Sequence, residues 1–210
     1  RPIELPGSRP LEFESSADVA TELREWPYNH VVKCLVFAHP DDETELRERQ
    51  ERQIARVYDA CRKTRHELLL EVIVPKGMPV APDTVARVIA RIYQLGVRPD
   101  WWKLEPSAEP AAWANVQQVI MTNDPHCRGV LLLGLAAPLE TILASFQAVA
   151  GFPIVKGFAV GRTIWAEAAR DWFAGRIDGA AASARLAAEF EKLVVGWRSA
   201  RPVATREAAE

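Results

Sequence analysis

The chain has 210 residues, 49% of them hydrophobic, and its 26 basic and 28 acidic side chains leave a formal net charge of −2. That is enough for one sizeable core, and neither the charge balance nor any basic cluster suits nucleic acid. Three cysteines without metal-type spacing (Cys34, Cys61, Cys127), an opening unlike a signal or transit peptide, and a longest apolar run (130–139) well short of the roughly 20 residues that cross a bilayer point to a soluble, cytoplasmic protein with no membrane partner.

In chain order, residues 1–8 (RPIELPGS) read as a short strand closed by a Pro-Gly turn, and a short helix follows around 16–25. Residues 31–37 (VVKCLVF) form a strand of β-branched and apolar residues. From 41 to about 65 the pattern is helical, with Ile54, Val57, Tyr58 and Cys61 on one stripe. Residues 68–74 (LLLEVIV) are the next strand. A helix from about 82 carries Val85, Val88, Ile89 and Ile92 on one face and stops at Gly96. The strand around Trp101-Trp102-Lys103-Leu104-Glu105 comes next, then a helix over 109–123, a strand over 129–135, a helix over 138–149 and a last strand over 154–160. Two helices close the fold, the second with Leu186, Phe190, Leu193, Val194 and Trp197 on one face. The domain is expected over 1–198, with 199–210 as a polar tail.

Repeated strand–helix units with apolar strands imply a parallel sheet covered by helices. Two windings fit: an open doubly wound sheet, or a (β/α)8 barrel, which needs eight strands where only five or six are legible.

Charges inside the strands are the chemical signal. Three of the six lysines (Lys33, Lys103 and Lys156) sit in strand-like runs, where a surface charge has little reason to be. Strand alternation puts Trp101, Lys103 and Glu105 on one face. In a barrel, Lys33, Glu71 and Lys103 would all point inward, and a buried unpaired charge costs several kcal/mol, so they should meet each other or a ligand. Burial disfavours an ammonium ion, and a neutral amine is what imine chemistry on a ketone requires. The plain alternative is an internal Lys–Glu–Lys network without chemistry, with Lys103 paired to Glu105 or another carboxylate.

At the ends of the last two strands stand Gly134 and Gly161-Arg162. Glycine backbone at a helix start, next to an arginine, suits a phosphate; a tight turn with a surface arginine would look the same.

A competing motif is Phe37-Ala38-His39-Pro40-Asp41-Asp42-Glu43. It resembles the AHPDDE signature of zinc-dependent N-acetylglucosaminyl deacetylases, which implies zinc on His39 and Asp42 and a general base at Asp41. Here a long charged helix follows in place of a glycine-rich turn, and only His66 and His126 lie downstream as further histidines. Helix capping accounts for the same acids, and no metal or other cofactor is expected.

A wider resemblance covers nearly the whole chain. The runs Val31-Val32-Lys33, Leu70-Glu71-Val72, Trp102-Lys103-Leu104-Glu105 and Val160-Gly161-Arg162-Thr163-Ile164-Trp165 resemble class I tagatose-bisphosphate aldolases. They resemble still more the aldolase-like domain fused to the bacterial inositol-catabolic kinase, 5-dehydro-2-deoxygluconokinase. That resemblance implies Lys103 as the Schiff-base lysine, Glu71 in proton transfer, Lys33 lining the same site and Arg162 holding a phosphate; Glu105, a further strand charge that could point into the same cavity, is expected to touch substrate. The implied reaction cleaves a phosphorylated keto-sugar acid, 5-dehydro-2-deoxygluconate 6-phosphate, to dihydroxyacetone phosphate and malonate semialdehyde. A catalytically lapsed barrel that binds a sugar phosphate and regulates a fused kinase is the alternative.

In that alignment residues 1–8 are the third barrel strand. The expected fold is therefore a (β/α)8 TIM-barrel type lacking its first two βα units, with about six parallel strands. A kinase domain or other upstream segment, or a further copy in an oligomer, would be the partner that completes it.

Overall fold

A computed structural model describes residues 1–14 and 18–201. Its elements are α1 (Val19–Arg24), β1 (Val31–Phe37), α2 (Thr44–Thr64), β2 (Glu67–Ile73), α3 (Thr84–Gln94), β3 (Trp101–Leu104), α4 (Pro110–Asn123), β4 (Gly129–Leu133), α5 (Leu139–Ala148), β5 (Val155–Ala159), α6 (Arg162–Phe173) and α7 (Gly179–Ala200). Strand and helix alternate from β1 to α6, as the apolar runs required, and α7 follows α6 directly.

The five strands are all parallel and lie in the order in which they occur, β1-β2-β3-β4-β5. A doubly wound sheet reverses its order at a switch point. This one never does, so the winding is that of a TIM barrel with fewer strands than the full eight. The expected sixth strand is reduced to a short attachment. Pro2 bridges Lys33 in parallel and Glu4 bridges Phe13 in antiparallel, because the chain folds back through Pro6-Gly7 after four residues. The helix expected over 16–25 is α1, and its first positions lie outside the described residues. So does most of the expected tail: α7 continues to Ala200, and residues 202–210 are not described.

The two faces of the sheet differ. Val32, Cys34 and Val36 of β1, Leu68, Leu70 and Val72 of β2, and Trp102 and Leu104 of β3 are buried beneath the helices. The alternate residues of the same strands, Lys33, Leu35, Leu69, Trp101 and Lys103 among them, are only half-buried, Glu71 excepted. The helices cover the first face with the stripes that set their period: Ile54, Val57 and Cys61 on α2, and Val88, Ile89 and Ile92 on α3. One buried contact bears on the site. The Trp102 indole N–H donates to the Tyr93 hydroxyl at 2.9 Å, with the rings edge to face at 5.7 Å. It fastens β3 to α3, so Lys103, next along the strand, projects from a fixed backbone to the open face.

Several boundaries differ from expectation for local reasons. α2 starts at Thr44, not 41, because residues 39–42 form a turn closed by the Asp42 carboxylate on the His39 N–H at 3.0 Å. β4 stops at Leu133 because Leu135 and Ala136 take left-handed backbone angles (φ 48° and 58°) that end a strand. Among the described residues no helix is long and apolar enough to cross a membrane.

Candidate active site

Strand register assembles the site. Glu71 lies opposite Leu35 of β1 on one side and Lys103 of β3 on the other, and Lys33 sits one pleat below Leu35. All project to the open face. Lys103 Nζ is 3.0 Å from Glu71 Oε1, and Lys33 Nζ is 3.1 Å from Glu71 Oε2. Lys33 also makes a close ion pair with Glu4. Four charges thus alternate across the sheet: Glu4, Lys33, Glu71, Lys103. The carboxylate side chains are 8% and 6% exposed, the lysines 24% and 17%. The acids are therefore sunk in the face while the amines reach toward its opening.

Glu4 is the member that sequence reasoning missed. Its signal was weak, a lone acid in a proline-flanked stretch whose partner is 29 residues away. The expected trio of Lys33, Glu71 and Lys103 is brought together as one network. Lys33 is not set against Lys103 as a repelling charge, because Glu71 stands between them. Burial would lower the Lys33 pKa, but the hydrogen bond to Glu4 and the charges of Glu71 and Glu4 outweigh it and hold the value above that of an ordinary lysine.

Glu105 does not take Lys103. Its Oε2 accepts the Val74 backbone N–H at 2.9 Å, continuing the β2–β3 ladder past the last paired residues. Burial pushes its pKa up, the Val74 bond opposes this, and the Glu71 charge adds to the rise. Thiol chemistry has no foothold nearby. Burial pushes Cys34 well above the usual thiol value, Cys61 to about 12 and Cys127 to about 11, so none supplies a thiolate near neutrality.

Gly134 and Gly161 lie on the rim where the parallel strands end, the C-terminal side of the sheet. Gly134 approaches Val160 so closely that a Cβ there would lie 2.9 Å from Val160 Cγ1. The Thr163 hydroxyl joins the two loops by donating to the Ala137 carbonyl at 2.9 Å. Gly161 is the N-cap of α6, and Arg162, its first residue, is exposed. The structure groups these three residues at one rim, at the ends of β4, the neighbour of β3, and of β5 beyond it.

The His39-Pro40-Asp41-Asp42 run builds the β1–α2 turn. His39 Nε2 lies 2.8 Å from the Pro79 carbonyl and Nδ1 accepts the Asp41 N–H at 3.1 Å, so both ring nitrogens are engaged in holding the turn. Asp42 pairs with Arg9, and Asp41 with Arg87 at 3.0 Å. Among the described residues no three or more His, Cys, Asp or Glu side chains stand where they could hold a metal ion.

Residues 1–201 match the family described as "Uncharacterized protein conserved in bacteria (DUF2090)". The chain belongs to the DUF2090 family. No curated protein sequence matches this DUF2090 chain, but solved structures do. The crystal structure of Cgl0159 from Corynebacterium glutamicum aligns with a TM-score of 0.62 at 17% identity, covering 94% of this chain and 62% of that one. Fructose-bisphosphate aldolase from Plasmodium falciparum, solved with TRAP and a small-molecule inhibitor, aligns at 0.67 and 12% identity over 95% and 68%. An archaeal fructose 1,6-bisphosphate aldolase aligns at 0.56 and 19% identity over 78% and 63%. The DUF2090 chain thus has an aldolase-like barrel fold and spans 62–68% of the length of these neighbours.

Proposed function

We propose that this DUF2090 chain carries the reacting face of a class I, Schiff-base aldolase. The observation that carries the reading is Lys103 on the open face of an aldolase-like sheet, 3.0 Å from the buried Glu71 carboxylate. Lys103 passes a proton to Glu71, its free amine attacks a ketone carbonyl, and Glu71 returns the proton to the carbinolamine hydroxyl, which leaves as water and gives an iminium. The iminium accepts the electron pair of the breaking carbon–carbon bond. Glu71 takes the proton from the hydroxyl that becomes the aldehyde carbonyl of the departing fragment, returns a proton to the resulting enamine carbon, and hydrolysis frees Lys103. Lys33, held as a cation, faces the substrate's oxygens. The substrate class is a phosphorylated keto-sugar acid, its phosphate on Gly134, Gly161 and Arg162. The specific candidate is 5-dehydro-2-deoxygluconate 6-phosphate, whose six carbons divide into dihydroxyacetone phosphate and malonate semialdehyde.

Every member of the ladder is paired, and that favours a second reading, a barrel that binds a sugar phosphate and serves a fused kinase without turnover. Borohydride separates the two. With dihydroxyacetone phosphate, reduction of the iminium should add a stable mass to the tryptic peptide that contains Lys103. Lys103→Arg should abolish the adduct, since a guanidinium does not deprotonate to a nucleophile. A chain that binds the phosphate ligand but traps it on no lysine would leave the binding reading standing.

A further inference from the structure

Two lysines share the Glu71 carboxylate, yet only one of them can be the nucleophile, and the stretch before β1 makes them unequal. Glu4 is buried although Arg1 and Pro2 before it and Leu5, Pro6 and Gly7 after it are exposed. Burying a carboxylate is unfavourable unless it is paired, and its partner is Lys33. The backbone of the same stretch holds the same residue: Ile3 N–H donates to the Lys33 carbonyl at 3.1 Å, and Lys33 N–H to the Arg1 carbonyl at 2.9 Å. A short hairpin secures it from the other side, with Leu5 N–H on the Glu12 carbonyl at 2.8 Å and Glu14 N–H on the Ile3 carbonyl at 3.3 Å.

Lys33 thus has two carboxylates and Lys103 has a half-share of one. We propose that Glu4 is a positioning residue: it keeps Lys33 the cationic lysine of the site and so leaves Lys103 as the one that reacts as a free amine. The naming of Lys103 as nucleophile rests on the aldolase reading, whereas the hold of Glu4 on Lys33 does not. The carboxylates paired with Lys33 are Glu4 from the N-terminal stretch and Glu71 from β2. Among the described residues no third acid pairs with Lys33. Removing Glu4 therefore leaves Lys33 dependent on the carboxylate it shares.

Competitive acetylation of the full chain across the alkaline range, read by mass on the peptide containing Lys33, tests the hold directly and needs no turnover. Glu4→Gln should lower the apparent Lys33 pKa by about one unit or more, the scale of an opposite charge at contact distance. Glu4→Asp, which keeps the charge on a shorter arm, should bring back part of the shift and serves if the glutamine variant does not fold. A merely structural Glu4 would alter melting and leave the Lys33 titration where it was; that result in both variants would overturn the proposal. The second arm is borohydride trapping with dihydroxyacetone phosphate. Wild type should trap at Lys103, while Glu4→Gln should spread the adduct to Lys33 in comparable yield. An adduct confined to Lys103 in Glu4→Gln would overturn the division of labour. No adduct in wild type would sink the aldolase reading and leave acetylation to decide the hold of Glu4.

Discussion

At Glu71 a buried carboxylate gives one oxygen to each of two lysines, and this shapes what substitution can do there. Removing one partner from a buried charge network typically costs about 3–5 kcal/mol, because the remaining charge is stranded. Lys103→Arg, which keeps the charge, is therefore a cleaner probe than Lys103→Ala. Glu105 lies outside the network and has its own pH signature. Its pKa is raised above the ordinary 4.5 by burial, so the folded chain binds a proton more readily than the unfolded one. Stability from this group is then full below that ordinary value and falls as pH rises through the folded value. Glu105→Gln keeps an acceptor for the Val74 N–H and removes the fall. Denaturant unfolding at about pH 4 and about pH 7 should show the variant gaining on wild type at the higher pH. An equal difference at both values would mean that the Glu105 carboxyl does not titrate differently on folding.

At the scale of elements, β4 and β5 meet at a place that admits only glycine. Gly129 opens β4 at φ 135°, and a Cβ there would lie 2.5 Å from Lys156 Cγ and 2.6 Å from the Ile154 carbonyl oxygen. Backbone cannot move aside as a side-chain tip can, so Gly129→Ala should destabilise by about 1–3 kcal/mol or more, the usual cost of overpacking with strain added. Gly157, in the adjoining strand, would set its Cβ an ordinary 3.5 Å from Leu131 Cδ2, and Gly157→Ala should be nearly neutral. Equal losses in the two melting curves would refute the close approach. The five strands were legible because each is a short apolar run between polar helices, and α3 because Val85, Val88, Ile89 and Ile92 repeat at helical spacing. Lys33, Glu71 and Lys103 were legible because a charge inside such a run is conspicuous. Glu4 was not, since its run is four residues long and its burial depends on a neighbour brought by the fold. The aspartates after β1 were legible as a motif but not as a turn, because the Arg9 and Arg87 partners that occupy them are distant in sequence.

For the molecule as a whole, the half-buried sheet face and the aromatic side chains of the last helices leave much apolar surface in contact with water. Trp165, Trp172 and Phe190 are about half exposed and Phe173 is 81% exposed. Apolar patches and open strand edges invite association. The 210-residue chain should therefore gain mass with concentration in light scattering, and Phe173→Lys should reduce the gain. A monodisperse wild-type monomer at high concentration would show that these surfaces are harmless as they stand. The order of the strands has a further consequence, for synthesis. Because each strand pairs with the one made before it, a chain emerging from its N-terminus can add units to a sheet already begun, without waiting for distant sequence. The ladder is laid down in the same order, with Glu4 first, then Lys33, Glu71 and Lys103, its signs alternating along the chain as well as across the sheet. In that order each charge after Glu4 has its counter-charge already made, and neither lysine need be buried alone.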